Sequence, residues 1–525
     1  MSPVNEKLFN YTVIVMKILS LAGKTALASL ACLPTVLSAQ KKAAQNKLNI
    51  VLITADDLNC ATTPMFGCKV PDLMPNIERM AAEGMLFKNA HIVSGASQVS
   101  RGGIMTGLYP HNSGIDGFYH TTKDIPTVQE TLQANDYRIG VIGKVSHSTP
   151  KSSIKWDFNI SPQEERKGRD GTVYYDNMTK FFKACQAEGK PFFFMANSHD
   201  PHRPWAGSRE ELAAQAKGER LYPDPKRIYK PEEVEVPGFV PDLPDIRKEA
   251  AQYFSSVNRL DETVGYILKA IKDVGAEGNT IVFFLSDNGM SMPFAKTTNY
   301  LHGTHTPLIV KWPGVIKPGS VDEAHFVNGI DFMPTIFEAA GIPVPSTLDG
   351  KSYLSILKGG KQSGREYIYT EFTENSGRAR EPMRAVQNTK YGYIFNVWSD
   401  QKRIFKSETT AGLTFKAMKT AGETDPKIQE RVDMFMYRVP EEFYDYEKDP
   451  DALNNLIDNP KYKKEIDKFR ALLDKHMEAT NDPVLVPFRQ RDDKAAVAQY
   501  MIDQDAIVKA RLQEQFGGAK RKGKK

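Results

Sequence analysis

Four short apolar runs, each closing on polar or charged residues, set the rhythm of this chain: "LNIVLITADD", "RIGVIGK", "KPFFFMANSHD" and "NTIVFFLSDNG", beginning at residues 48, 138, 190 and 279. Runs this short and this continuously apolar suit strands covered on both faces, as in a parallel sheet. Between them, "MPNIERMAAEG", "TVQETLQAND" and "AQYFSSVNRLDETVGYILKAIKDVG" carry apolar residues at helical spacing. Strands alternating with helices predict a doubly wound α/β sheet, whose ligands collect outside the carboxyl ends of the strands. That rule gathers Asp56, Asp57, Lys144, His147, His199, Asp287 and Asn288 at one rim.

The pattern changes near residue 360, where "LKGGKQSGRE" brings glycine, serine and charge together. Downstream, "REYIYTEF", "MRAVQNTKYGYIFN" and "EEFYDYEKDP" read as strands of a smaller sheet, followed by the helix "PKYKKEIDKFRALLDKHMEAT". The expected organisation is a catalytic α/β domain over 47–360, a C-terminal α+β subdomain over 361–490, and a charged helix with a basic tail over 491–525. No internal repeat is visible.

Residues 1–39 read as a signal peptide, with a start at either Met1 or Met16, an apolar stretch from Ala26 to Leu37, and small residues Ser38 and Ala39 before a polar run. The apolar stretch is too short for a stable membrane span. Cys32 raises a lipoprotein reading, but Ser29-Leu30-Ala31 fits a lipidation site poorly. The expected destination is therefore the periplasm or the exterior. The formal net charge of +5 equals the five positive charges within Lys520–Lys525, so basicity belongs to the tail and gives no nucleic-acid-binding face. With the leader removed, Cys60, Cys68 and Cys185 remain. Cys60 and Cys68 are close enough in sequence to pair, a zinc site needs a richer cluster, and all three are otherwise structural.

Asp56-Asp57 and Asp287-Asn288 offer oxygen ligands of the kind hard cations prefer. Taken singly, either pair is an ordinary strand-end turn or helix cap. In "SGASQVSRGGIMTGLYPH", starting at residue 94, the small residues Ser94, Gly95, Ala96 and Ser97 indicate a backbone that approaches something closely. The segment "SQVSRGGIMTG" resembles the signature of the sulfatase family, in which a Cys or Ser stands four residues before an Arg and a Leu/Met-Thr-Gly turn follows. Ser97 and Arg101 take those positions, and Val99 stands where the pattern usually has Pro or Ala. The resemblance runs from about residue 48 to 490 through "ADD", "GLYPHNSG", "GVIGKVSH", "FFFMANSHDPHRP", "FFLSDNG", "GIDFMPTIFEAAGIP" and "FYDYEKDPDALNNL".

The resemblance implies an alkaline-phosphatase-like fold and oxidation of Ser97 to formylglycine by a maturation enzyme. It implies one calcium ion held by Asp56, Asp57, Ser97, Asp287 and Asn288. A hydroxyl of the formylglycine hydrate would attack sulfur, and the second hydroxyl would then expel sulfate. Arg101, Lys144 and Lys296 would neutralise the sulfo group, Lys296 standing where related proteins carry an Arg. His199 is the expected general acid, because imidazole titrates near neutrality, with His147 near the formylglycine oxygens. His202 and Arg203 are weaker candidates, for structural bonds or a substrate carboxylate. Glu381 and Arg384 would either read sugar groups or form an interdomain ion pair, and His302 and His305 are weaker still.

Through "SHDPHRP", "SDNGMSMPFAKTTNY", "EPMRAVQ" and "EATNDP" the chain looks most like family members that cleave the N-sulfate of glucosamine in heparin or heparan sulfate. Its K-V-x-H spacing at Lys144–His147 instead resembles sulfatases of 2-O-sulfated uronates. Two other readings stand beside these: a phospho- or phosphonate hydrolase using unmodified Ser97, and a sulfated-glycan-binding protein without turnover. "SDNG" lacks the following histidine of two-zinc phosphatases, which argues against the former. The expected partners are a sulfated glycan and the maturation enzyme, and a homodimer stays open.

Overall fold

The structure, a computed structural model, describes residues 47–160, 164 and 168–522, with side chains to residue 513. The expected leader over 1–39, the last three residues of the basic tail and the side chains of its other cations lie outside this description. The strands of the first domain are β1 (Asn49–Ala55), β2 (Met85–Phe87), β3 (Ala90–His91), β4 (Arg138–Ile142) and β5 (Phe158–Asn159), then β6 (Phe192–Asn197), β7 (Thr280–Ser286), β8 (Leu308–Lys311), β9 (Ser320–Asp322) and β10 (Val327–Asn328). Eight of them form one sheet in the order β5-β4-β6-β1-β7-β8-β2-β9, while β3 and β10 pair separately. The four apolar runs are its centre, β4, β6, β1 and β7, all parallel.

Those runs are continuously apolar because the sheet is covered twice. Val51, Ile53, Phe192, Phe194, Val282 and Phe284 enter the core on one face. Ile50, Leu52, Phe193, Met195, Ile281 and Phe283 enter a second core on the other, as the two-residue period of a strand requires. Helices Pro75–Glu83, Gly171–Glu188 and Pro244–Asp273 contribute Ile77, Met80, Phe181, Phe182, Val257 and Leu260 to the first core. β8 runs antiparallel to both β7 and β2, so the sheet is mixed at this edge.

The C-terminal sheet holds β11 (Ile368–Glu374), β12 (Arg380–Gln387), β13 (Tyr391–Asn396) and β14 (Glu441–Asp445), antiparallel in that order. Helix Lys463–Ala479 buries Ile466, Phe469, Leu473 and Met477. Helices Leu413–Gly422 and Pro426–Tyr437, inserted between β13 and β14, were not signalled by the strand pattern. The charged C-terminal helix spans Lys494–Lys522. Among the described residues no helix is long and apolar enough to cross a membrane. Cys60, Cys68 and Cys185 are all buried and free.

Candidate active site

The site begins with register. Ala55 of β1 lies opposite Ser286 of β7, so Asp56-Asp57 and Asp287-Asn288 leave adjacent strands side by side. Asp57 adopts a left-handed backbone conformation (φ 71°) that turns the chain sharply at the strand end. Its amide donates to Asp287 Oδ1 at 3.2 Å, and Asn288 Nδ2 donates to Asp57 Oδ1 at 2.7 Å. All four side chains are buried.

Ser97 is the first residue of helix Ser97–Thr106, and its hydroxyl donates to Asn288 Oδ1 at 2.9 Å, with Asp56 Oδ1 at 3.5 Å. The small residues before it have the use the sequence indicated. Gly95 O accepts from Thr297 N at 2.7 Å, and a Cβ on Gly95 would stand 2.6 Å from Thr298 O. One helical turn beyond Ser97, the fully buried Arg101 spends its fork on Asp287 Oδ2 (2.9 Å), Thr54 Oγ1 (2.7 Å) and Asn197 Oδ1 (2.6 Å). Val99 is buried in the core.

Two lysines complete the cluster. Lys144 follows Gly143, whose hypothetical Cβ would stand 2.1 Å from Asn197 O; only glycine allows that passage. Lys144 Nζ then reaches Asp56 Oδ2 at 2.5 Å. Lys296 Nζ sits 2.8 Å from Asp57 Oδ1 and 2.9 Å from Oδ2, and it also pairs with Glu408. His202 Nε2 lies 4.0 Å from Asp57. His147 and His199 are half-buried, with Nδ1 of the first and Nε2 of the second shielded from solvent and lacking a hydrogen-bond partner.

Burial opposes ionisation of Asp56, but Lys144, His202, Arg101 and Lys296 together hold its carboxyl well below the usual range. Asp57 and Asp287 are pushed up to about 6, by burial first and by neighbouring carboxylates against the pull of Lys296 and Arg101. Burial, then Lys144 and other cations, lowers His147 and His199 to about 3; burial and Lys296 lower His202 to about 4. Burial and the neighbouring cations thus favour the neutral imidazole of His199 in this site.

Three buried carboxylates and an amide, with Asp56, Asp57 and His202 offering ligand atoms within 4.8 Å of one another, make an acidic cluster that could hold a metal ion. Oxygen donors dominate and no thiol is among them, a set that fits a hard divalent cation.

Arg203 bridges Glu249 (2.6 Å) and Ser291 O (3.0 Å) and stacks on Trp205, a structural set of contacts. Glu381 is buried, accepts from Lys406 N and Asn375 Nδ2, and is pushed up to about 7 by burial. Arg384 lies elsewhere, buried between Asp482 and Glu371; its ion pairs stay within the C-terminal subdomain and are not the interdomain pair expected as an alternative. His302 bonds Asp451, and His305 bonds Lys88 O and stacks on His91. The sequence reading missed Thr54, Asn197 and Glu408. Asn197 closes the third apolar run and was open to notice; Glu408, in "FKSETTAG", carries no local signal.

The Sulfatase family profile matches residues 48–342, more than half of the chain. A second profile, N-sulphoglucosamine sulphohydrolase, C-terminal, matches residues 290–407. Human N-sulphoglucosamine sulphohydrolase is 29% identical over 446 residues, covering 78% of this chain and 86% of that protein. A solved protein in complex with its substrate, D-glucosamine-2-N,6-O-disulfate, superposes with a TM-score of 0.63 at 19% identity, covering 83% of this chain and 99% of the other. The phosphonate monoester hydrolase of Agrobacterium radiobacter superposes with a TM-score of 0.61 at 15% identity, covering 83% and 96%. Both structures show the shared fold and leave the chemistry to the site. With its profile match spanning the helix of Ser97 and both acidic strand ends, the chain belongs to the sulfatase family.

Proposed function

We propose that this protein is an exported sulfatase that removes the N-sulfate from a terminal glucosamine of heparin or heparan sulfate fragments. The observation that carries the reaction is the meeting of the Ser97 hydroxyl with Asn288 and Asp56 inside a buried cluster of carboxylates and cations. The match of residues 290–407 to the N-sulphoglucosamine sulphohydrolase profile, and the human relative, support the choice of N-sulfate.

Oxidised to formylglycine by a maturation enzyme, Ser97 supplies a hydrated aldehyde as nucleophile toward sulfur. Asp56, Asp57, Asp287 and Asn288 would hold a calcium ion, which when bound would supply positive charge for the sulfo oxygens. Lys144 and Lys296 turn ammonium groups toward the same oxygens and offset the charge that repels a nucleophile. Arg101, fixed by Asp287, Thr54 and Asn197, holds the helix start and its own charge behind Ser97. His147 and His199 enter as neutral bases with unpartnered nitrogens, ready to take a proton from the nucleophile and return one to the departing amine. Overall, water and the N–S bond become amine and sulfate.

The test is mass spectrometry of the Ser97 peptide from the natural host, followed by sulfate release from the same batch. Conversion of Ser97 with release from N-sulfoglucosamine is the expected result. Release only from 2-O-sulfated uronate would move the substrate, and phosphoester turnover with unmodified serine would replace the reaction. Glycan binding without turnover by fully converted protein would leave a binding protein.

A further inference from the structure

A cavity of about 640 Å³ adjoins the cluster on the side of the C-terminal subdomain, and its wall is shared with the site. Thr297 and Glu408 line it; Glu408 pairs with Lys296, and Thr297 Oγ1 bonds Ser407 Oγ at 2.8 Å. The floor is apolar, made by Phe405, Phe415 and Met436. At the rim stand Lys406, Lys416 and Lys419, all exposed. Lys416 and Lys419 share a face of helix Leu413–Gly422 at i, i+3 spacing.

The charge on this wall is uneven. Glu408 is the single acid among its lining residues and is already neutralised by Lys296, whereas none of the three lysines takes part in an ion pair among the described residues. An apolar floor with a cationic rim suits a sugar ring that lays its C–H face down and turns an anionic group outward, and the volume lies within the usual range for small-ligand sites. Surface lysines are ordinarily just solvated. Here three of them line one cavity, whose Thr297 is the sequence neighbour of Lys296 in the site.

We infer that this cavity is a second subsite, which binds an anionic sugar, uronate or sulfated, adjacent to the glucosamine held at Ser97. The inference rests on the proposed glycan substrate and adds where its next residue lies. The subsite acts on affinity alone, because no lysine of the rim reaches the carboxylate cluster, so its loss changes KM for longer chains and leaves kcat in place.

The experiment compares wild type with Lys416→Ala/Lys419→Ala on N-sulfoglucosamine and on a tetrasaccharide ending in it. In the variant, KM for the tetrasaccharide rises about tenfold at unchanged kcat, the loss of two exposed ionic contacts, and the monosaccharide constants stay put. High salt applied to wild type reproduces the same selective rise. An unchanged tetrasaccharide KM in the variant overturns the subsite, as does an equal rise on both substrates. Calorimetric binding of the tetrasaccharide without its N-sulfate separates this from the catalytic reading. If wild type releases no N-sulfate yet binds that glycan in a way that depends on both lysines, the reaction assignment falls and the subsite stands.

Discussion

Two buried ionic clusters in this molecule use the same residue types to opposite ends. At the strand ends, Asp56, Asp57 and Asp287 meet Arg101, Lys144 and Lys296, with His147 and His199 alongside. At the junction with the C-terminal sheet, Glu371 and Asp482 meet Arg384 and His111. His111 is held up to about 9 despite its burial, because Glu371 and Asp482 face it, while His147 and His199 fall to about 3. The hydrogen bonds tell the same story. His111 gives Nδ1–H to Glu371 at 2.8 Å and Nε2–H to Thr480 O at 3.0 Å, the bonding of an imidazolium with nothing left over. Each site histidine keeps an unpartnered nitrogen. A closed cluster holds the two domains together; one with idle donors and acceptors is built for a ligand.

The largest expected break in this comparison is Ser97→Ala, which should reduce sulfate release by about a thousandfold or more while leaving the melting temperature near wild type. Next come the two arginines. Arg101→Ala and Arg384→Ala each strand buried carboxylates, at a cost of about 3–5 kcal/mol in denaturant unfolding. Only Arg101→Ala should also abolish turnover in the fraction that remains folded; equal loss of specific activity in both would erase the distinction between the clusters. His199→Ala should lower kcat by about a hundredfold with little change in stability, since its idle nitrogen contributes no native bond. A drop in stability without a drop in kcat would make His199 structural.

How much of this was legible in sequence follows from where each signal lies. The central strands were readable because both faces are buried, which forces uninterrupted apolar runs. The acidic rim followed from their ends alone. Edge strands such as β5 and β9 are two and three residues long and carry no pattern. Arg384 misled because its motif placed it correctly in the subdomain, while its partner, Asp482, is 98 residues away and only the fold joins them. Glu408 reaches Lys296 from the other domain through a loop without periodicity. The neutrality of His199 was likewise hidden: residue type supplies an ordinary pKa, and burial among cations removes it.

The smallest effect concerns the closed cluster and separates it by pH. His111 has a folded pKa of about 9 against 6.5 for the ordinary imidazole, so the folded chain binds this proton more tightly than the unfolded one. Its contribution is complete below pH 6.5 and is lost as pH rises through about 9, which amounts to about 3 kcal/mol. Asp482, lowered by Arg384, and Arg384, raised by its carboxylate partners, keep their charges across that window, and the nearby His476 is already neutral, lowered to about 4 by burial. Urea unfolding of wild type should thus show stability falling between pH 6.5 and 9, and His111→Gln should lack that component of the slope. An identical slope in both proteins would mean that His111 is neutral in the fold. The junction would then resemble the active site in the one property that now divides them.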